Sequence, residues 1–240
     1  MSINVFESGE EAVKTLAHFF IDTAEKAIAY KGSFNVALSG GSSPKKLYEL
    51  LAAAYSDKTD WTKVFFFFGD ERYVPRDHPD SNALMAKKAL FDPLKIDASQ
   101  IFTVNTSLEP AEAAVKYMDD ISSHIRNHPL QFDLVLLGLG DDAHTASLFP
   151  HTMVLQEKEA TVKEVYLEEK KIYRITLTAP MINDAHHVAF LVYGESKAHA
   201  VNKVLEGEKN TQLYPAQMIH PSEGKLYWFL DKSAAAAIQY

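Results

Sequence analysis

Five short, nearly unbroken apolar runs constrain this chain most: Phe34 to Leu38, Val64 to Phe68, Phe132 to Leu137, Ile172 to Leu177 and Val188 to Tyr193. Runs of this length without polar alternation fit strands buried on both faces. Between them lie amphipathic stretches at helical spacing: Pro44 to Tyr55, Ser81 to Phe91, Pro110 to Asn127 and Glu195 to Glu206. The alternation predicts a doubly wound α/β fold, a mostly parallel sheet with helices on both faces. Ser43 before Pro44 reads as a helix start with proline at the first helical position. Lys163 to Thr178 reads as a local antiparallel excursion. No repeat, low-complexity tract or linker divides the sequence, so residues 1–240 are expected to form a single domain.

Composition narrows the function classes. A formal net charge of -8 argues against a nucleic-acid surface, because a phosphate backbone recruits a net basic face. The absence of cysteine removes disulfides, thiolate metal sites and cysteine nucleophiles together. The opening Met1-Ser2-Ile3-Asn4-Val5-Phe6-Glu7 lacks the basic-then-apolar layout of a signal peptide, and the apolar runs are too short to span a membrane. A cytoplasmic location is the default expectation.

In parallel α/β sheets, ligands sit beyond the carboxyl ends of the strands, where the strand order reverses. Ser39-Gly40-Gly41-Ser42-Ser43 follows the first run and Gly69-Asp70-Glu71-Arg72 the second. Gly138-Leu139-Gly140-Asp141-Asp142-Ala143-His144 follows the third, and Gly194-Glu195-Ser196-Lys197 the last. Glycine, hydroxyl and charged residues thus recur at four strand tips.

Ser39 to Ser43 sets two glycines and three hydroxyls at a helix start, which suits a phosphate or another oxyanion; an ordinary strand–helix turn would look similar. It is not a Walker loop, since no Gly-Lys-Ser/Thr follows. Arg72 beside Asp70 and Glu71 fits either an ion pair or a planar fork for phosphate, with Asp70 positioning it. Lys197 is either a second positive point charge or a solvated helix lysine. Gly138-x-Gly140-x-x-Ala143 superficially matches a dinucleotide fingerprint, but Asp141 and Asp142 would repel a pyrophosphate. His144 reads as a general base, an imidazole being the side chain best matched to taking a proton from water near neutrality, with Asp142 orienting it. A metal set of Asp141, Asp142, His144 and His151 has no recognisable spacing, so no metal is expected. No Gly-x-Ser-x-Gly elbow is present, which leaves direct attack by water as the simplest hydrolytic route.

Taken together, the sequence resembles the 6-phosphogluconolactonases nearly end to end. The resemblance is carried by Leu38 to Pro44, by Gly69-Asp70-Glu71-Arg72-Tyr73-Val74-Pro75 with His78, Ser81 and Asn82, and by Gly138 to Pro150, whose His144-Thr145-Ala146-Ser147-Leu148-Phe149-Pro150 is highly specific. Arg174-Ile175-Thr176-Leu177-Thr178, Gly194-Glu195-Ser196-Lys197-Ala198, Tyr214-Pro215-Ala216 and Trp228-Phe229-Leu230-Asp231 add to it. It implies a fold shared with glucosamine-6-phosphate deaminases and ribose-5-phosphate isomerases. It also implies a cofactor-free hydrolase acting on a small sugar phosphate lactone, 6-phospho-D-glucono-1,5-lactone. By the same resemblance His144 is the base and Asp142 its neighbour. Arg72, Lys197 and the Ser39–Ser43 loop hold phosphate. His78, Asn82, His151 and Arg174 either line the site or only brace its loops, bracing being the favoured reading of each. Ala143 stands where that family usually has glycine. A deaminase-like enzyme is the nearest alternative, yet those continue Ile-Ala-Phe-Asn-Glu-Pro where this chain has Thr145-Ala146-Ser147-Leu148-Phe149-Pro150. A non-catalytic sugar-phosphate sensor on the same fold is the other alternative, disfavoured by the presence of both His144 and Asp142.

Overall fold

The structure is a computed structural model that describes residues 1–126 and 130–239. Its strands are β1 (Ser2–Phe6), β2 (Phe34–Leu38), β3 (Val64–Phe68), β4 (Asp70–Arg72), β5 (Leu134–Leu137), β6 (Val162–Leu167), β7 (Ile172–Leu177), β8 (His187–Val192) and β9 (Lys225–Asp231). Its helices are α1 (Gly9–Lys31), α2 (Ser42–Ala54), α3 (Asn82–Ala86), α4 (Asp92–Leu94), α5 (Pro110–His124), α6 (Ala179–Asn183) and α7 (Ala198–Leu205). Six strands form a parallel sheet in the order β1-β9-β8-β5-β2-β3. The other three form an antiparallel sheet, β4-β7-β6.

The apolar runs behave as buried parallel strands must: every residue of β2 and β5 is buried, and successive side chains enter opposite layers. Val36, Leu38, Phe66, Phe68 and Leu136 pack with α1 and α2. Ala37, Phe67, Val135, Leu137 and Phe190 pack with α5, α6 and α7. The sheet is therefore covered on both faces, as the strand–helix alternation implies.

Several boundaries differ from the sequence reading, each for a local reason. β5 begins at Leu134 because Asp133 interrupts the run; its carboxylate takes the Asn35 N–H at 2.7 Å and Lys31 at 2.9 Å. Ile172 to Leu177 is a strand, but of the small sheet, where β6 and β7 are the expected antiparallel excursion. Ser81 caps α3 through the Leu84 N–H, and the helix widens into a π turn over Lys87–Phe91. α5 ends at His124; the expected last residue, Asn127, lies outside the described residues. Glu195 to Lys197 is a 3-10 turn that leads into α7. The edge strand β1, its inner neighbour β9 and the long helix α1 complete the layers. Val13, Leu16, Ala17, Phe20 and Ala24 form a helical stripe on α1, a spacing that a search for unbroken apolar runs passes over. Among the described residues no helix is long and apolar enough to cross a membrane.

Two half-buried imidazoles at the base of the sheet make stability pH-dependent. His124 Nε2 lies 3.1 Å from Asn35 Oδ1, among the rings of Phe65, Phe67 and Phe102. His187 Nδ1 lies 3.0 Å from the Asp133 carbonyl oxygen. Burial pushes both below the ordinary imidazole value; Lys31 adds to this at His124, while the Asp133 hydrogen bond opposes it at His187. The unfolded chain therefore binds more protons than the folded one below about pH 6.5, so stability is present above that pH and lost as pH falls through the lowered folded values. We expect the urea midpoint to drop between about pH 7.5 and 5.5. A His124→Gln/His187→Asn double variant should flatten that slope, and an unchanged slope would contradict the assignment.

Candidate active site

The strand order reverses between β2, which is followed outward by β3, and β5, which pairs on its other side. Beyond β2 the buried Ser39 is pinned by Tyr48: its N–H donates to the Tyr48 hydroxyl at 2.9 Å, and that hydroxyl donates to the Ser39 carbonyl at 2.8 Å. Burial pushes the Tyr48 phenol up, so it stays a protonated donor. Gly41, at φ 107, is the N-cap of α2, and no side chain caps the helix. The helix thus begins at Ser42 and Pro44 is its third residue, two residues earlier than Ser43-Pro44 suggested, because only glycine adopts this cap conformation readily. The uncapped first-turn N–H groups and the positive end of the helix dipole are left for a ligand. Gly40 serves a different purpose: a Cβ there would collide with the Asn82 side chain.

The expected loop after β3 is instead a strand. Past Gly69, β4 pairs with β7 so that Arg72 lies directly opposite Arg174. Asp70, two residues back on the same face, is only 7% exposed. Its carboxylate accepts from the Ser147 hydroxyl at 2.6 Å and from Asn82 Nδ2 at 3.3 Å. Arg72 Nη1 donates to the Asp80 carbonyl at 2.6 Å. Arg174 Nε is buried and has no hydrogen-bond partner. Burial lowers the pKa of that guanidinium, Asp70 opposes the shift, and Arg72 adds to it. Glu71 points away and accepts from the N–H groups of Arg72, Asn82 and Ala83, bracing the start of α3; burial nonetheless pushes its carboxyl up.

The loop after β5 closes on itself. Gly140 N–H donates to the His144 carbonyl at 2.8 Å, Ala143 N–H to the Gly140 carbonyl at 3.0 Å, and Ala216 N–H to the Ala143 carbonyl at 3.0 Å. Ala143 sits at φ 60, a left-handed conformation that costs an L-residue about 1 kcal/mol or somewhat more, and those three bonds hold it there. His144 Nδ1 is 2.5 Å from Asp142 Oδ1, which also accepts the His144 backbone N–H at 3.1 Å. Burial pushes the Asp142 carboxyl up, yet the hydrogen bonds and charge of His144 outweigh it and hold the carboxyl below its ordinary value. Phe149 stacks on the imidazole at 4.0 Å.

After β8, the Gly194 N–H donates to the Asp231 carboxylate at 3.0 and 3.1 Å, fixing the turn that carries Lys197. Lys197 Nζ reaches Asp141 Oδ1 at 2.7 Å. From the β6–β7 hairpin, Lys170 extends over the Phe149 ring at 5.7 Å.

These segments line one cavity of about 300 Å³. Ser39, Gly40, Gly41, Ser42, Ser43, Asp70, Arg72, His144 and Lys197 all contribute to its wall, and Asp142 stands behind His144. Asn82 and Arg174, read from the sequence as bracing residues, also line it. His78 and His151 do not: His78 turns to Asp80, and His151 donates its N–H to the Gln212 carbonyl. Lys170 is a wall residue that no sequence signal singles out, and Phe149, which the sequence marks only as part of the His144 to Pro150 segment, lines the cavity as well. Among the described residues no three His, Asp or Glu side chains are gathered as metal ligands.

A parallel α/β sheet with a cation-lined polar cavity at its switch point defines the class: a binder of small anionic molecules at strand tips. Residues 7–228 match the family described as glucosamine-6-phosphate isomerases/6-phosphogluconolactonase, and the chain belongs to it. It is 44% identical over 218 residues to a 6-phosphogluconolactonase of Nostoc sp., covering 89% of this chain and 88% of that one. It superposes on the 6-phosphogluconolactonase of Thermotoga maritima with a TM-score of 0.82 at 32% identity, covering 96% and 99% of the two chains. A monomeric glucosamine-6-phosphate deaminase shares the fold, with a TM-score of 0.83 at 21% identity over 99% and 100%.

Asn82 is nearly fully buried, so the close approach at Gly40 leaves it little room to yield. Gly40→Ala should destabilise the fold by about 1–3 kcal/mol. Ser42→Ala, at an exposed position that caps nothing, should be close to neutral. Urea denaturation of both variants checks this, and wild-type stability of Gly40→Ala would contradict it.

Proposed function

We propose that the chain hydrolyses 6-phospho-D-glucono-1,5-lactone to 6-phosphogluconate, a step of the pentose phosphate pathway, with His144 as general base. The observation that carries the reading is the His144–Asp142 pair at 2.5 Å, on the wall of the cavity that Arg72, Arg174 and the start of α2 also line. Two guanidiniums directly opposite each other repel, and the buried Asp70 only partly offsets them. A phosphate dianion would complete that arrangement, bridging the unpartnered Arg174 Nε, Arg72 and the free N–H groups of α2. Lys197 contributes a further positive charge.

The phosphate fixes the sugar ring, and remote binding energy orients the C1 carbonyl. With Asp142 ionised, Nδ1–H of His144 is the donor and Nε2 is left to accept a proton. Water attacks C1 as its proton passes to Nε2. The imidazolium then returns that proton to the ring oxygen as the C1–O bond breaks, which yields the open-chain acid. His144 takes the proton of the attacking water, so the route as drawn calls on no cofactor. The deaminase alternative is disfavoured because Phe149, stacked on the imidazole, precedes Pro150 where those enzymes carry an acid. A cytoplasmic setting fits the substrate.

The direct test is production of 6-phosphogluconate from fresh lactone above spontaneous opening, set against ammonia release from glucosamine 6-phosphate. Only the first is expected; ammonia release without lactone turnover would overturn the reading. His144→Ala should lower turnover by roughly 10²- to 10⁴-fold. Near-normal hydrolysis by that variant would remove the base assignment. Arg72→Ala should chiefly raise KM for the lactone, and an unchanged KM would put the phosphate elsewhere.

A further inference from the structure

We infer that Asp141 acts as an internal substitute for the ligand phosphate on Lys197 and thereby limits how tightly the cavity holds anions. The inference rests on the phosphate role proposed above for Lys197. Four cationic side chains line the cavity: Arg72, Lys170, Arg174 and Lys197. Among the described residues, Lys197 is the one of these held by a carboxylate within ion-pair distance, with Nζ 2.7 Å from Asp141 Oδ1. Arg72 gives its guanidinium to a backbone carbonyl, Lys170 lies over Phe149, and Arg174 Nε has no partner.

The two members of the pair are not equivalent. Lys197 is 27% exposed and lines the cavity, whereas Asp141 is 76% exposed and does not. They come from the loops after β8 and β5, which are adjacent strands, and the Lys197 turn is fixed from behind by Asp231. The lysine is thus the fixed member, and the carboxylate is free to turn out into water. The neighbouring Asp142 is engaged by His144, so two consecutive carboxylates are divided between the base and the phosphate-binding cation. An arriving phosphate must displace Asp141 from Lys197. The displaced carboxylate is rehydrated with little penalty, and its charge stays near the rim, where it opposes the bound anion. Lys197 then has a partner at every stage, and the product, which carries a carboxylate besides its phosphate dianion, leaves more easily.

Steady-state kinetics of wild type, Asp141→Asn, Lys197→Met and the double variant test this, with inorganic phosphate and 6-phosphogluconate as inhibitors. Exposed ion pairs are weak, so Asp141→Asn should lower the lactone KM and both inhibition constants by about two- to fivefold. The difference should shrink in about 0.5 M salt, where the screening length falls to a few ångströms. It should vanish in the Lys197→Met background. Unchanged or weaker anion binding in Asp141→Asn would overturn the inference, as would an equal effect with Lys197 absent, which would mean only a general charge effect. If Lys197→Met alone leaves KM and phosphate inhibition unaltered, the phosphate role of Lys197 fails, and the inference falls with it.

Discussion

The parallel pairing of β2 with β5 is the constraint from which the site follows. Val36 faces Leu134 and Ala37 faces Val135, so the two strands end side by side while their connections depart in opposite directions. That divergence opens a crevice between the uncapped start of α2 and the loop bearing His144. Apart from Asn35 of β2 the two strands are apolar, and the two hydrophobic layers lock their register from both faces. A slip of one residue would exchange the layers for every side chain of β2. The polar groups at the strand tips are therefore positioned by the packing of groups that never touch a ligand.

Electrostatics then divide the crevice. Asp70 accepts from Ser147 of the His144 loop and from Asn82 of α3, and it lies on the face of β4 that carries Arg72. This one buried carboxylate ties the small sheet to the loop after β5 and keeps two opposed arginines compatible with a folded pocket. The sequence reads it as positioning Arg72 at a phosphate site, and its contacts here are those of a clamp between the two halves of the wall. Asp231 plays a comparable part for the turn of Lys197.

Much of this was legible in the sequence because parallel strands announce themselves as unbroken apolar runs, and the residues after such runs face the ligand crevice. Phe34 to Leu38 and Val64 to Phe68 coincide with β2 and β3, and the loops after β2, β5 and β8 meet in one cavity together with β4. What escaped was set by tertiary pairing. Arg174 reaches the wall only because β7 pairs with β4, and nothing near it in sequence records that partner. Lys170 enters from a hairpin whose orientation depends on the same sheet. His78 and His151, which the sequence favours as bracing residues apart from the base, lie off the cavity wall, His78 engaged by Asp80 and the His151 N–H by the Gln212 carbonyl. Ala143 stands where the resembled family usually has glycine, and its φ of 60, directly before the imidazole, is a conformation that glycine adopts without strain.

A crystal structure with 6-phosphogluconate bound measures the central claim most directly. The account requires the phosphate within hydrogen-bond distance of Arg72, Arg174 and the first N–H groups of α2, with the carboxylate carbon facing His144 Nε2. A ligand in the reverse orientation, its phosphate against His144, or one bound outside the β2–β5 crevice, would contradict it.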